Sequence, residues 1–238
     1  MKKLGVIGGL GPMATAFFMQ MVIEMTQADT DQEHIEMIIF NCPWIPDRTS
    51  YILGKSNDNP GIPMADLGKK LADNGAEVIA IPCITANYFY DELTGQIPVP
   101  VINIIEETAL YLKNMNVKTV GLMATDGTVK SGLFQKSMQN AGIKIVVPEE
   151  NGQKDVMHLI YKNVKATKPA EMERFERVSE ELKNKGAEVI ILGCTELSMI
   201  RRDEKIGAGY LDAMQVLAKC AVEQCGTLKK EYEQLITK

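Results

Sequence analysis

Cys83 and Cys194 occupy matching places in two similar stretches of the chain. One reads Asn74-Gly75-Ala76-Glu77-Val78-Ile79-Ala80-Ile81-Pro82-Cys83 and the other Lys185-Gly186-Ala187-Glu188-Val189-Ile190-Ile191-Leu192-Gly193-Cys194. The two align without a gap, 111 residues apart. Each cysteine closes an apolar, β-branched run and is followed within two residues by a threonine, Thr85 or Thr195. Both thiols therefore fall where a buried strand hands over to a helix, the end of an α/β sheet at which ligands bind. A helix N-terminus there offers unsatisfied N–H groups and partial positive charge, which lowers a thiol's pKa and attracts carboxylates. A free thiol ionises near ~8.5, so a modest depression makes it a base near neutrality. On opposite walls of one cleft, one thiolate could take a proton from one face of a carbon acid while the other thiol returns one to the opposite face. The alternative is a pair of core cysteines that mark a duplicated strand. The gapless match of the pair, each with its threonine, favours the chemical reading.

The rest of the composition narrows the choices. The chain has 2 histidines in 238 residues, which leaves little for a histidine metal site or Ser-His-Asp catalysis. His34 lies in a polar run and His158 in an apolar one, and both read as structural. The 5 cysteines are odd in number and contain no CxxC, so neither a disulfide framework nor a zinc ribbon is indicated. Cys220 and Cys225 fall on a helical pattern and read as packing residues, and Cys42 reads as structural. Met1-Lys2-Lys3 runs straight into a strand without a signal sequence, and no apolar run approaches the ~18 residues of a membrane span. The expectation is a reduced cytoplasmic protein with no membrane partner. A net charge of -5 without a basic block argues against nucleic acid.

Strand patterns fall at Leu4–Ile7, Ile35–Phe40, Val78–Ile81, Val99–Ile102, Thr119–Met123, Ile143–Val147 and Val189–Leu192, with a weaker one at Tyr210-Leu211. Helical spacing covers Met64–Asn74, Ile104–Met115, Val129–Ala141, Asp155–Lys165, Pro169–Lys185 and Met214–Gln224. Pro12 suits a first helical turn, and Gly75 and Gly186 suit left-handed helix ends. Apolar strands alternating with helices predict an α/β fold with parallel sheets covered on both faces. The repeat extends beyond the cysteines. Leu71 matches Leu182 at the same offset, Lys3–Gly8 resembles Thr119–Ala124 at an offset of 116, and Ile35–Phe40 resembles Ile143–Pro148 at 108. A repeat this long is a small domain rather than a solenoid unit. We therefore expect two pseudo-symmetric parallel-sheet α/β domains related by internal duplication, with the active site in the cleft between them. The first comprises residues 1–103 plus 212–238 and the second 104–211. The irregular stretch from Asn41 to Ile62, rich in Pro, Asp, Asn and Gly, is long enough to be functional.

Several motifs carry a family resemblance over nearly the whole chain. They are Gly5-Val6-Ile7-Gly8-Gly9-Leu10-Gly11-Pro12, Ile45-Pro46-Asp47-Arg48-Thr49, Pro82-Cys83-Ile84-Thr85-Ala86, Ala124-Thr125-Asp126-Gly127-Thr128, Gln153-Lys154-Asp155-Val156-Met157 and Gly193-Cys194-Thr195-Glu196. Together they resemble the aspartate/glutamate racemase superfamily, in particular its aspartate racemase branch. The resemblance implies racemisation of an amino acid, aspartate or glutamate, without pyridoxal phosphate or metal, with Cys83 and Cys194 as the acid/base pair. It also implies a homodimer. Arg48 matches a family arginine implicated in binding acidic substrates, and Lys165 matches a lysine near the site; a cation pairs well with a substrate carboxylate. Gly11, Pro12, Met13, Ile84, Thr85, Thr125, Thr128, Thr195 and Glu196 complete the expected substrate contacts, with the glycines of 8–11 expected to let backbone approach the ligand. Taken without the family, the threonines read as helix caps. Two departures stand out. Ile84 replaces a family asparagine expected to hydrogen-bond substrate, and Asn87 replaces a histidine. A hydrogen bond to an anion is worth about 1.5–3 kcal/mol, enough to alter substrate preference.

Other readings compete. Gly9-Leu10-Gly11-Pro12-Met13-Ala14 satisfies G-x-G-x-x-G/A after a strand, which would suit a dinucleotide, but the second strand ends at Asn41-Cys42 and lacks the acidic residue that binds ribose. Within the superfamily, a racemase of another amino acid, a hydantoin racemase or a maleate isomerase would retain both cysteines, whereas a decarboxylase uses one. Ile84 and Asn87 also allow a degenerate protein that binds without turnover.

Overall fold

The computed structural model describes all 238 residues. Its seven strands are β1 (Leu4–Gly8), β2 (Met37–Asn41), β3 (Val78–Ala80), β4 (Thr119–Ala124), β5 (Lys144–Val146), β6 (Val189–Gly193) and β7 (Tyr210–Asp212). The helices are α1 (Pro12–Met25), α2 (Arg48–Ile52), α3 (Gly61–Asp73), α4 (Tyr90–Thr94), α5 (Ile104–Asn114), α6 (Asp126–Ser131), α7 (Leu133–Asn140), α8 (Glu150–His158), α9 (Met172–Asn184), α10 (Thr195–Asp203) and α11 (Ala213–Cys225). The strands form two parallel sheets in the orders β2-β1-β3 and β5-β4-β6-β7.

The register of the two sheets repeats as the sequence does. Leu4 pairs with Val78 and Met37 in the first sheet, and Val120 pairs with Val189 and Ile145 in the second. Those positions are related by the offsets 116, 111 and 108 found in the sequence. Packing is duplicated too. A Cβ on Gly5 would lie 2.8 Å from Ala76 Cβ and 3.3 Å from Leu71 Cβ, and one on Gly121 would lie 3.2 Å from Ala187 Cβ and 3.0 Å from Leu182 Cβ. In each half a glycine lets the helix before the cysteine strand settle directly on the sheet.

Alternation along the strands gives each sheet two buried faces. Leu4, Val6, Val120, Leu122 and Ala124 share a central core with helices α1, α5, α7 and α11. Ile7, Ile79 and Ile81 pack outward under α3, and Met123, Ile190 and Leu192 pack outward with α8, α9 and α10. In the central layer α11 packs on α1 and α5, and α5 packs on α7. No helix is long and apolar enough to cross a membrane.

Several elements differ from expectation, each for a local reason. The Val99–Ile102 pattern is only a bridge from Val101 to Ile79, because Pro98 and Pro100 have no N–H to give a ladder. Its residues still hold the sheet edge: Ile79 N–H donates to the Pro100 carbonyl at 2.8 Å, and Ile102 N–H to the Ile79 carbonyl at 2.9 Å. The single helix expected over Val129–Ala141 is two, α6 and α7, broken at Gly132, which takes φ +69. The pattern over Asp155–Lys165 starts earlier, at Glu150, and ends differently. After His158 it widens into a π turn over Leu159–Asn163 and then tightens over Val164–Ala166. The helix expected from Pro169 begins at Met172. The stretch from Asn41 to Ile62 contains the short helix α2.

Candidate active site

The carboxyl ends of β3 and β6 deliver Cys83 and Cys194 to one tightly closed cleft, with a free volume of about 10 Å³. Each cysteine is 6% exposed. Each also occupies the N-cap position of the next element, but the two elements differ. Cys194 opens the regular helix α10, whereas Cys83 opens a tight 3₁₀ segment over Ile84–Phe89 that leads into α4. The helix expected after Cys83 is therefore a narrower turn. Ile84, Thr85, Thr125, Thr195, Glu196, Arg48 and Lys165 line the same cleft.

On the Cys83 side the polar groups are hydroxyls and a guanidinium. Thr85 Oγ1 lies 3.1 Å from Thr125 Oγ1 and 3.0 Å from Thr128 Oγ1, and the latter two are 3.1 Å apart. Thr125 caps α6, accepting the Thr128 N–H at 3.2 Å. Cap and hydroxyl cluster are thus the same residues; Thr85 and Thr125 line the cleft, and Thr128, expected there too, stands buried behind them. Gln153 fixes this corner by donating to the Ala124 carbonyl and to Asp126 Oδ1, at 3.0 and 2.8 Å. Arg48, 7% exposed, donates from Nη1 to the Pro46 carbonyl at 2.9 Å and from Nη2 to the Leu10 carbonyl at 2.8 Å. Its Nε is buried without a partner. Burial works against its charge, but Cys83 and Asp47 beside it outweigh burial and raise the Arg48 pKa.

On the Cys194 side the groups are a carboxylate and an ammonium. Cys194 Sγ donates to Glu196 Oε2 at 2.8 Å, and Thr195 Oγ1 donates to the same oxygen at 3.4 Å. Lys165 Nζ is 3.5 Å from Glu196 Oε1. Burial opposes the Lys165 charge, yet Glu196 and Cys194 raise its pKa. Burial pushes the Cys194 thiol well up, and the Glu196 charge pushes it further. This overturns the expectation that the helix N-terminus lowers the thiol: α10 supplies its N-terminus, but burial and a carboxylate two residues on prevail.

Gly11, Pro12 and Met13 stand elsewhere. They line a wider vestibule of about 560 Å³ that meets the cleft at Leu10, Asp47, Arg48, Lys165 and Glu196, and Met13 is 64% exposed. Gly9 and Gly11 both line this vestibule, and Gly9 is also required by the fold. Gly9, at φ +90, faces its own chain, where a Cβ would lie 2.4 Å from the backbone of Cys42. Cys42 is thus half-buried packing against β1, and Cys220 and Cys225 are buried on α11. His158 accepts or donates one hydrogen bond with Glu171, at 2.7 Å. Ile84, 2% exposed, lines the cleft and belongs to the central core at once.

Sequence reasoning missed Tyr161 and Asp47. Tyr161 O–H donates to Asp47 Oδ2 at 3.3 Å, joining the segment after α8 to the cap of α2 across the cleft. Lys165 Nζ lies 4.9 Å from the centre of the Tyr161 ring. Burial pushes the Tyr161 phenol up to about 12. Burial also raises Asp47, but the Ser50 N–H, Arg48 and Lys165 outweigh it and lower its pKa. One signal was available: Tyr161 and Lys165 are four residues apart on a helical pattern and so share a face. Both line the cleft, Tyr161 from the π turn and Lys165 from the 3₁₀ turn after it.

The family described as Asp/Glu/Hydantoin racemase matches residues 7–221 of this chain. A curated relative, the broad specificity amino-acid racemase RacX of Bacillus subtilis (strain 168), is 27% identical over 230 residues, covering 92% of this chain and 96% of its own. Among solved structures, the Picrophilus torridus aspartate racemase is 29% identical with a TM-score of 0.82, covering 98% of each chain. The glutamate racemase from Francisella tularensis, in complex with D-glutamate, shares the fold at 20% identity and a TM-score of 0.62, over 94% of this chain and 80% of that one. The chain belongs to the Asp/Glu/Hydantoin racemase family. That membership makes it an isomerase of the racemase type, with the two-sheet α/β fold of the structures it resembles.

Proposed function

We propose that the protein racemises an amino acid, aspartate or glutamate, by proton transfer at Cα between Cys83 and Cys194, without pyridoxal phosphate or metal. The observation that carries this reading is that both thiols line one small cleft whose other polar groups suit an amino acid. The hydroxyls of Thr85 and Thr125, backed by Thr128, can turn toward a carboxylate. Arg48 and Lys165 supply positive charge for a carboxylate. In one direction a thiolate takes the Cα proton, leaving the C–H electron pair on a carbon acidified by its neighbours. The opposite thiol gives its proton to the other face, so one S–H forms as the other breaks and the centre inverts. Gly11, Pro12 and Met13 belong in this scheme to the approach rather than to the reacting centre.

The same reading divides the chain into domains 1–103 plus 212–238 and 104–211. Helix α11 on α1 and helix α5 on α7 support that exchange of helices between the halves. It also takes the protein as a cytoplasmic homodimer, for which five unpaired cysteines suit a reducing compartment. A panel of single-enantiomer amino acids, including both forms of aspartate and glutamate, followed by chiral chromatography tests the function. Appearance of the opposite enantiomer of an acidic amino acid is expected, and inactivity across the whole panel would refute it.

A further inference from the structure

The two thiols stand in unlike surroundings, although the repeat makes the strands that deliver them equivalent. At the offset of 111, Thr85 corresponds to Glu196. The Cys83 side thus has a hydroxyl where the Cys194 side has a carboxylate. Glu196 is 5% exposed, and its two oxygens are divided between neighbours: Oε2 receives the Cys194 thiol at 2.8 Å, and Oε1 faces Lys165 at 3.5 Å. A buried carboxylate that accepts a thiol proton in a hydrogen bond holds that proton on sulfur, because ionising the thiol would set two anions side by side in a place of low dielectric.

We propose that Glu196 is a positioning residue that keeps Cys194 protonated in the free enzyme, so that the resting pair has its acid at Cys194 and takes its first proton at Cys83. This rests on the reading of the two thiols as the acid/base pair. In the first turnover the Cα proton passes to Cys83 sulfur. Cys194 gives its own proton to the opposite face, and the S–H electron pair stays on Cys194. The thiolate so formed faces Glu196, and that repulsion favours its reprotonation from solvent, while Cys83 releases to solvent the proton it took, which restores the resting pair. The groups facing Cys194 are Glu196 on α10, Lys165 and Tyr161 from the 159–166 segment, Asp47 and Arg48 at α2, and Cys83 across the cleft. Among these, Lys165 is the cation that opposes Glu196 in acting on the Cys194 thiol.

The test is alkylation with iodoacetamide at a series of pH values, read for each cysteine by peptide mass spectrometry. The thiolate attacks carbon and iodide leaves, so the pH midpoint of labelling reports ionisation even where access is slow. In the wild type, Cys83 should label at lower pH than Cys194. Glu196→Gln should lower the Cys194 midpoint by about a unit or more, making its labelling on the rising limb about tenfold faster. Lys165→Met should raise the midpoint. Glu196→Asp, which retracts the carboxylate while keeping its charge, should fall between wild type and the glutamine variant, and it serves if Glu196→Gln fails to fold. An unchanged or raised Cys194 midpoint in folded Glu196→Gln would overturn the proposal, as would wild-type labelling of Cys194 at lower pH than Cys83. No substrate is needed. An enzyme that racemises without the shift loses only the role of Glu196, and a protein with the shift but no activity loses only the proposed function.

Discussion

Cys83 and Cys194 each stand five residues beyond the valine that pairs with the central strand of its own sheet: Val78 with Leu4 in one half, and Val189 with Val120 in the other. The duplicated register, rather than a local motif, therefore places both thiols at the same height on their sheets. The cleft that holds them gains its asymmetry beyond the strands, from the 3₁₀ turn that follows Cys83, the helix that follows Cys194, and the side chains these carry.

Arg48 carries the first expectation. Its guanidinium reaches the Leu10 and Pro46 carbonyls at once, which ties α2 to the loop after β1. A lysine has one ammonium and no fork, so it can hold one of these while leaving the other buried and unpaired. Each such hydrogen bond from a charged donor is worth about 1.5–3 kcal/mol, so Arg48→Lys should lower kcat/KM by roughly 10–100-fold. Steady-state kinetics beside a thermal melt checks this, and wild-type kinetics in the variant would remove Arg48 from the site.

Thr85 carries the second. Thr85→Val removes one of three mutually bonded hydroxyls and leaves Thr125 and Thr128 paired with each other at 3.1 Å. The expected cost in stability is about 1 kcal/mol, and the expected rise in KM about tenfold, since one donor to a carboxylate is lost. Thr85→Ser should restore most of the KM. A valine variant with unchanged KM would place the substrate carboxylate elsewhere.

The acid limb of stability rests in part on Asp155, which is 8% exposed. It accepts from Arg174 Nη1 at 2.5 Å and from Arg177 Nε and Nη2 at 2.9 and 2.8 Å. Burial would raise its pKa, but the two arginines prevail and lower it. A carboxylate depressed in the folded state contributes stability above its unfolded value of ~3.9 and loses it as pH falls through the folded value. Both arginines are partly exposed, so the contribution should be about 1–2 kcal/mol rather than the full value of buried pairs. Asp155→Asn should melt lower than wild type at neutral pH, and the two melting temperatures should converge as the medium is acidified toward about pH 2. A gap that persists in acid would show that packing, not charge, is what the substitution removed.

Much of this architecture is legible in the sequence because parallel strands buried on both faces are written as continuous apolar runs, and a duplication writes them twice. The offsets 116, 111 and 108 are the registers of the two sheets. What escapes is the part that depends on atoms far apart in the chain. Nothing local says that Gly9 is needed to clear Cys42, that Tyr161 reaches Asp47, or that Lys165 meets Glu196. The expected Val129–Ala141 helix failed because a periodic pattern continues through Gly132 while the backbone does not. The Val99–Ile102 pattern is apolar enough for a strand, but Pro98 and Pro100 lack the N–H groups that a ladder needs.

The central claim is that Cys83 and Cys194 transfer protons at one carbon. Its most direct test is solvent deuterium at Cα of L- and D-aspartate and glutamate, followed by NMR and chiral chromatography, in wild type, Cys83→Ser and Cys194→Ser. In the wild type, both enantiomers of the substrate should gain deuterium at Cα as they interconvert. Each serine variant should lose interconversion by a factor on the order of 10³ or more, because a hydroxyl is a far weaker acid and base than a thiol at neutral pH. Interconversion at near wild-type rates in either folded serine variant, or racemisation in deuterated solvent without deuterium at Cα, would contradict it.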